Sequence, residues 1–177
     1  MPWEERLSLI LTGDAEFSQR CFAFRNLTVS RTPSTRSLSQ QIREALTHKA
    51  DLVSITIGRR NVFAGDQREK HDSNSVMTGI AELHSRGATV LVTNRVDPPG
   101  ASLTESERNQ TAESNARMWT VAREKRIVVL DLWGMRELRE DRMWDDDHHG
   151  LSDLGCRLLA RQAAHTIGVP YAEIITP

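Results

Sequence analysis

Apolar positions along this chain fall into two alternating spacings, one helical and one extended. Trp3, Leu7, Ile10 and Leu11 share one stripe of a helix over 3–12, with Pro2 at a permitted start and Gly13 at a stop. A mostly apolar run over 21–29 predicts a strand, closed by Ser30-Arg31-Thr32-Pro33-Ser34. Ser37 then stands as an N-cap before Leu38, Ile42, Ala45 and Leu46 at helical spacing. The β-branched run over 52–57 loses its alternation, as expected of a strand covered on both faces. Residues 61–75 are polar and predict a loop, after which Val76, Ile80 and Leu83 make a helical stripe ended by Arg86-Gly87.

Thr89–Thr93 predicts the next strand, and Asn94-Arg95-Val96-Asp97-Pro98-Pro99-Gly100 cannot continue it because proline removes donors and fixes φ. A long polar helix is expected over 104–125, with Ala112, Ala116, Trp119 and Ala122 on its apolar side. A strand over 127–132, a short helix over 133–143, an acidic loop over 145–150 and a helix over 151–167 complete the chain. In the last helix Ser152 is the expected cap, and Leu154, Leu158 and Leu159 are expected to face inward.

Four strands alternating with helices predict an α/β fold, a three-layer α/β/α sandwich on a parallel sheet, in a single domain over 1–177. In such sheets ligands bind beyond the carboxyl ends of the strands. Ser30, Arg31, Arg59, Arg60, Asn61, Asn94 and Arg95 all fall just past predicted strand ends. Guanidinium forks suit carboxylate or phosphate, so Arg31, Arg59, Arg60 and Arg95 point to a small anionic ligand. The competing reading pairs them with Asp145, Asp146 and Asp147, which overhang the same edge.

Composition narrows the partners. Lysine plus arginine (23) nearly balances aspartate plus glutamate (24), so no global field favours nucleic acid or a membrane surface. Lysine occurs only at 49, 70 and 125, an arginine bias that a GC-rich genome alone would produce. Cys21 and Cys156 are far apart and lack metal or redox spacing, so both are read as buried thiols. No signal-peptide pattern and no apolar run of about 18 residues is present, and a soluble cytoplasmic protein is the expectation. No cofactor is expected. Asp145, Asp147 and His148 offer metal-ligand chemistry, but contiguous residues rarely converge on one ion, and no metal is expected either.

Taken in order, Pro2-Trp3-x-x-Arg6-Leu7, Asn26-Leu27-Thr28-Val29, Ala50-Asp51-Leu52-Val53 through Gly58, Val90-x-Val92 with Asp97-Pro98, Asp131-Leu132-Trp133-Gly134, and Met143-Trp144 followed by Leu151-Ser152-x-x-Gly155 resemble the SGNH, or GDSL-type, hydrolases, in particular their actinobacterial esterase-like branch. The resemblance covers nearly the whole chain and implies a flavodoxin-like sandwich. It also implies four blocks: a Gly-Asp-Ser strand end with the nucleophile, a glycine after the second strand, a Gly-x-Asn-Asp turn contributing to the oxyanion hole, and an Asp-x-x-His pair that activates the serine. Serine chemistry needs the base, and the oxyanion needs preorganised donors.

Each block departs from that pattern. The segment from Pro2 to Leu7 matches the helix that follows the nucleophile strand, which places that strand before Met1 and leaves the first strand of the sheet missing. Gly13-Asp14-Ala15 offers only an alanine. Arg31 falls at the second-block glycine, and Gly58-Arg59-Arg60-Asn61 puts Arg60 at the oxyanion asparagine. Counting back from Leu151-Ser152-x-x-Gly155 puts Gly150 at the histidine and Asp147 at its aspartate. One-residue slips would restore Asn61 as a donor and Asp146 with His149 as an acid–base pair; a solvated charged loop is the bland alternative.

Three functions follow as expectations. The first is a degenerate SGNH-like protein with a small-molecule pocket at the strand ends, of non-hydrolytic or altered chemistry such as a cyclisation or proton transfer, in which His149 or an arginine acts. The second is an active esterase or acyl hydrolase using His149, Asp146 and Asn61. The third is a subunit whose sheet is completed by a partner chain or a second copy, with the strand-like segment 171–177 available to add to an edge.

Overall fold

The structure is a computed structural model, and it describes residues 1–13, 23–27, 38–56, 70–99, 103–146 and 150–169. The chain divides into two compact units: Met1–Arg25 with Val96–Thr104 and Leu130–Pro177, and Asn26–Arg95 with Glu105–Val129.

The second of these carries most of the sheet. Strands β1 (Leu52–Thr56), β2 (Thr89–Thr93) and β3 (Val128–Leu130) lie in the order β1-β2-β3, and β1 pairs parallel with β2 from Leu52 opposite Thr89 to Thr56 opposite Thr93. Helices α2 (Leu38–Thr47), α3 (Lys70–Ser85) and α4 (Glu105–Lys125) alternate with them. Ile42, Ala45 and Leu46 of α2, Ile80 and Leu83 of α3, and Met118 and Ala122 of α4 share one core with Ile55, Val90, Val92 and Val129. This is the α/β class expected. Of the strand predicted over 21–29 only residues 23–27 are described, and they carry no strand pairing, so the described sheet has three strands.

Three of these elements depart from the sequence reading. Helix α3 begins at Lys70, inside the expected loop, because a polar run without proline or glycine shows no hydrophobic period yet permits a helix. Strand β3 is shorter than 127–132 at its start because the Ile127 amide still caps the helix before it, donating to the Ala122 carbonyl at 2.9 Å with Arg126 at φ 55°. Helix α4 is rotated from the expected face, with only Ala122 of the four expected residues buried. Its buried residues are Thr111, Ser114, Asn115, Met118 and Ala122, whereas Ala112 and Ala116 are exposed and Trp119 is 42% exposed. Three polar residues thus share the inward face with Met118 and Ala122.

The remaining unit pairs α1 (Trp3–Gly13) with α5 (Asp153–Thr166). Trp3, Leu7 and Leu11 are buried on α1, and Gly155, Leu159, Ala160, Ala163 and Ala164 on α5, where small residues let the backbones approach. Arg6 binds Asp153 across this pair, and Asp153 also receives Arg157 Nε at 2.9 Å. Leu159 is buried as expected, but Leu154 is 45% exposed and Leu158 half-buried, because the buried stripe runs through Gly155 and Leu159. The helix expected over 133–143 is two short 3₁₀ segments, Arg136–Arg139 and Asp141–Met143, interrupted by extended Glu140; Trp144 Nε1 donates to the Leu138 carbonyl at 2.7 Å and holds them together.

Candidate functional site

At the carboxyl end of β2, Thr93 and Asn94 are buried and Arg95 is half-buried. The strand ladder ends there, and an interior backbone needs other partners. Asn115 of α4 supplies them: its Oδ1 accepts from the Arg95 amide at 3.0 Å and its Nδ2 donates to the Arg95 carbonyl at 2.9 Å. The helix therefore fixes the residue with which the chain leaves the sheet.

The acidic loop belongs to the α1–α5 unit. Trp144 and Leu151 form an isolated antiparallel bridge, and inside it Asp145 N–H donates to the Gly150 carbonyl at 3.0 Å. Asp145 Oδ1 accepts from the Gly150 amide at 2.9 Å. This collar ties Asp145 to Gly150. A Cβ on Gly150 would lie 2.6 Å from Asp145 Oδ2.

Below the collar, Ser152 caps α5 by accepting from the Gly155 amide at 3.1 Å, and its hydroxyl donates to the Arg142 carbonyl at 2.7 Å. Gly155 is required by packing, since a Cβ there would meet the Met143 carbonyl oxygen at 2.2 Å. The Leu151-Ser152-x-x-Gly155 motif is thus a docking device for the start of α5.

Of the residues singled out in the sequence, Asn94 and Arg95 belong to one unit and Asp146 to the other. Asp146 is exposed. His149, Asn61, Arg60, Arg31, Arg59 and Ser30 lie outside the described residues, as do Cys21, Asp147 and His148. Among the described residues no group of three or more His, Cys, Asp or Glu could hold a metal. Cys156 is half-buried with Sγ 3.8 Å from the Leu151 carbonyl, and burial pushes its thiol pKa up, the opposite of an activated nucleophile. Among the described residues no helix is long and apolar enough to cross a membrane.

Two clefts of about 220 and 440 Å³ open at the amino ends of the strands, on either side of Gly87 and Ala88. They lie at the opposite end of β2 from Asn94. The amides of Gly87, Ala88 and Thr89 are already bonded to the His84, Leu83 and Asp51 carbonyls, so none of these three is left to donate into the clefts. Sequence reasoning missed Asn115 and the Asp145–Gly150 collar. The first is legible only once residues 111, 115, 118 and 122 are recognised as the inward stripe, and the second only as a turn.

The family model of the GDSL-like lipase/acylhydrolase family matches residues 4–158. No curated protein matches the chain. Among solved structures, a catalytic mutant of an acetylxylan esterase from Geobacillus stearothermophilus superposes with a TM-score of 0.65 at 14% identity, covering 95% of this chain and 81% of that one. An α/β hydrolase from the metagenome of Lake Arreo, Spain, gives 0.63 at 15% identity, covering 97% and 83%. These likenesses establish the fold, a flavodoxin-like α/β sandwich. With residues 4–158 matched, the chain belongs to the GDSL-like lipase/acylhydrolase family.

Proposed function

We propose that this chain is a degenerate GDSL-family protein that has lost ordinary serine-esterase chemistry and keeps a small-molecule site, for an anionic ligand, at the carboxyl ends of its strands. The observation that carries the reading is the Asp145–Gly150 collar. Counting from the α5 motif, Gly150 stands where the family has its histidine, and the Asp145 carboxylate occupies the space a side chain there would need. A histidine placed at 150 would have to displace that carboxylate. The 177 residues also contain no Gly-Asp-Ser, and Gly58-Arg59-Arg60-Asn61 replaces the donor asparagine with a cation.

Such a site suits a reaction that needs no nucleophile, a cyclisation or proton transfer. His149 would move the proton, and Arg60 or Arg59 would hold negative charge developing on the substrate. Arg31, Arg95, Asn94 and Ser30 complete the ligand contacts in this reading. A second reading, a working esterase built on Asp146, His149 and Asn61, draws on the likeness to acetylxylan esterases. Turnover of p-nitrophenyl acetate and butyrate separates the two. The proposal expects rates unchanged by His149→Ala and by Asp146→Ala; fast turnover lost in both variants supports the esterase.

A further inference from the structure

Helix α4 buries three polar residues, Thr111, Ser114 and Asn115, beside Met118 and Ala122, and burying a polar side chain costs free energy unless it is hydrogen-bonded. One of those buried polar side chains has an assignable task. Asn115, 6% exposed, spends both ends of its carboxamide on the two backbone groups of a single residue, Arg95, twenty positions earlier in the chain. An amide that accepts from one residue's N–H and donates to its C=O does what a neighbouring strand would do. It carries backbone hydrogen-bonding on to Arg95, two residues past Thr93, where the regular ladder stops. Its neighbour on the same face, Thr111, has no such task, for its hydroxyl is buried without a partner among the described residues.

We infer that Asn115 is a positioning residue for the anion site. It holds the Asn94–Arg95 backbone in one conformation at the carboxyl edge, so that Arg95 meets a carboxylate or phosphate group already ordered. This inference rests on the reading of that edge as a ligand site. Its physical basis is preorganisation: an arginine on a strand exit free to sample several backbone conformations loses that freedom on binding, and a clamped one does not.

The test is a titration with inorganic phosphate, followed through the backbone amide resonance of residue 95, on the wild-type chain, Arg95→Ala, Asn115→Ala and the double variant. Saturable binding is expected in the wild type, weakened about fivefold or more by Asn115→Ala, as for the loss of one or two hydrogen bonds. In the Arg95→Ala background, Asn115→Ala should weaken binding no further. Thr111→Val, which alters the same buried face without touching the clamp, should bind as the wild type does. Should Asn115→Ala not fold, Asn115→Ser replaces it in the same series.

Two results overturn the inference, and they differ. If the wild type does not bind phosphate, or Arg95→Ala binds it equally well, the anion site itself fails. If Arg95→Ala weakens binding and the Asn115 variant does not, or weakens it equally with Arg95 absent, only the positioning role fails.

Discussion

The Asp145 carboxylate lies against the backbone of Gly150, accepting its amide at 2.9 Å and leaving 2.6 Å for any Cβ that a substitution would add. Gly150→Ala should therefore lose the collar hydrogen bond and destabilise the fold by about 1 kcal/mol, readable as a shift in the urea midpoint. In an Asp145→Ala background the same substitution should cost less, because the obstructing oxygen is gone.

Gly155 faces a harder constraint. A Cβ there would meet the Met143 carbonyl oxygen at 2.2 Å, and that oxygen also accepts the Ser152 amide at 2.9 Å. A backbone atom held on both sides cannot move aside. Gly155→Ala should cost about 3 kcal/mol, the range for overpacking against a fixed neighbour, measured as a fall in thermal midpoint. A change below experimental error would show that the start of α5 is not docked as described.

Asp153 joins α1 to α5 through Arg6 and is held by Arg157 one turn on. The Arg157 hydrogen bond, with the charges of Arg6 and Arg157 behind it, lowers its pKa below the usual 3.8. A carboxylate with a depressed folded pKa stabilises fully above its unfolded value and loses that contribution as pH falls through the folded one. The stability difference between wild type and Asp153→Asn should thus be constant above about pH 5 and shrink below pH 3.8. The pair is largely solvated, so raising the salt concentration should also shrink it.

Thr111 is 1% exposed, and its hydroxyl, like that of Ser54 on β1, has no hydrogen-bond partner among the described residues. Thr111→Val keeps the shape and removes the unpaired oxygen. The variant should be more stable by about 1 kcal/mol in equilibrium urea unfolding. Destabilisation would mean that the hydroxyl is satisfied in solution.

What the sequence reveals here depends on whether hydrophobic period and structure share a cause. Strand β2 was legible to the residue because Val90, Leu91 and Val92 are buried for the same reason that they are apolar. The cap Ser152 and the stop Gly87, at φ 89°, were legible because backbone chemistry alone demands them. Helix α4 was legible in extent and, Ala122 apart, not in orientation: burying Asn115 serves the Arg95 backbone, a long-range need that no local pattern encodes. The start of α3 was hidden for a related reason, since a polar helical turn has no period to read. At the acidic loop, motif counting reached Gly150 but could not show that Asp145 fills the space beside it.

The proposed loss of serine-ester chemistry is open to covalent labelling. The folded 177-residue chain is incubated with an alkyl fluorophosphonate and its intact mass followed by mass spectrometry. No stoichiometric adduct is expected on any serine, and no difference between the wild type and His149→Ala. One phosphonyl group added per chain, on one serine and lost in His149→Ala, would contradict it.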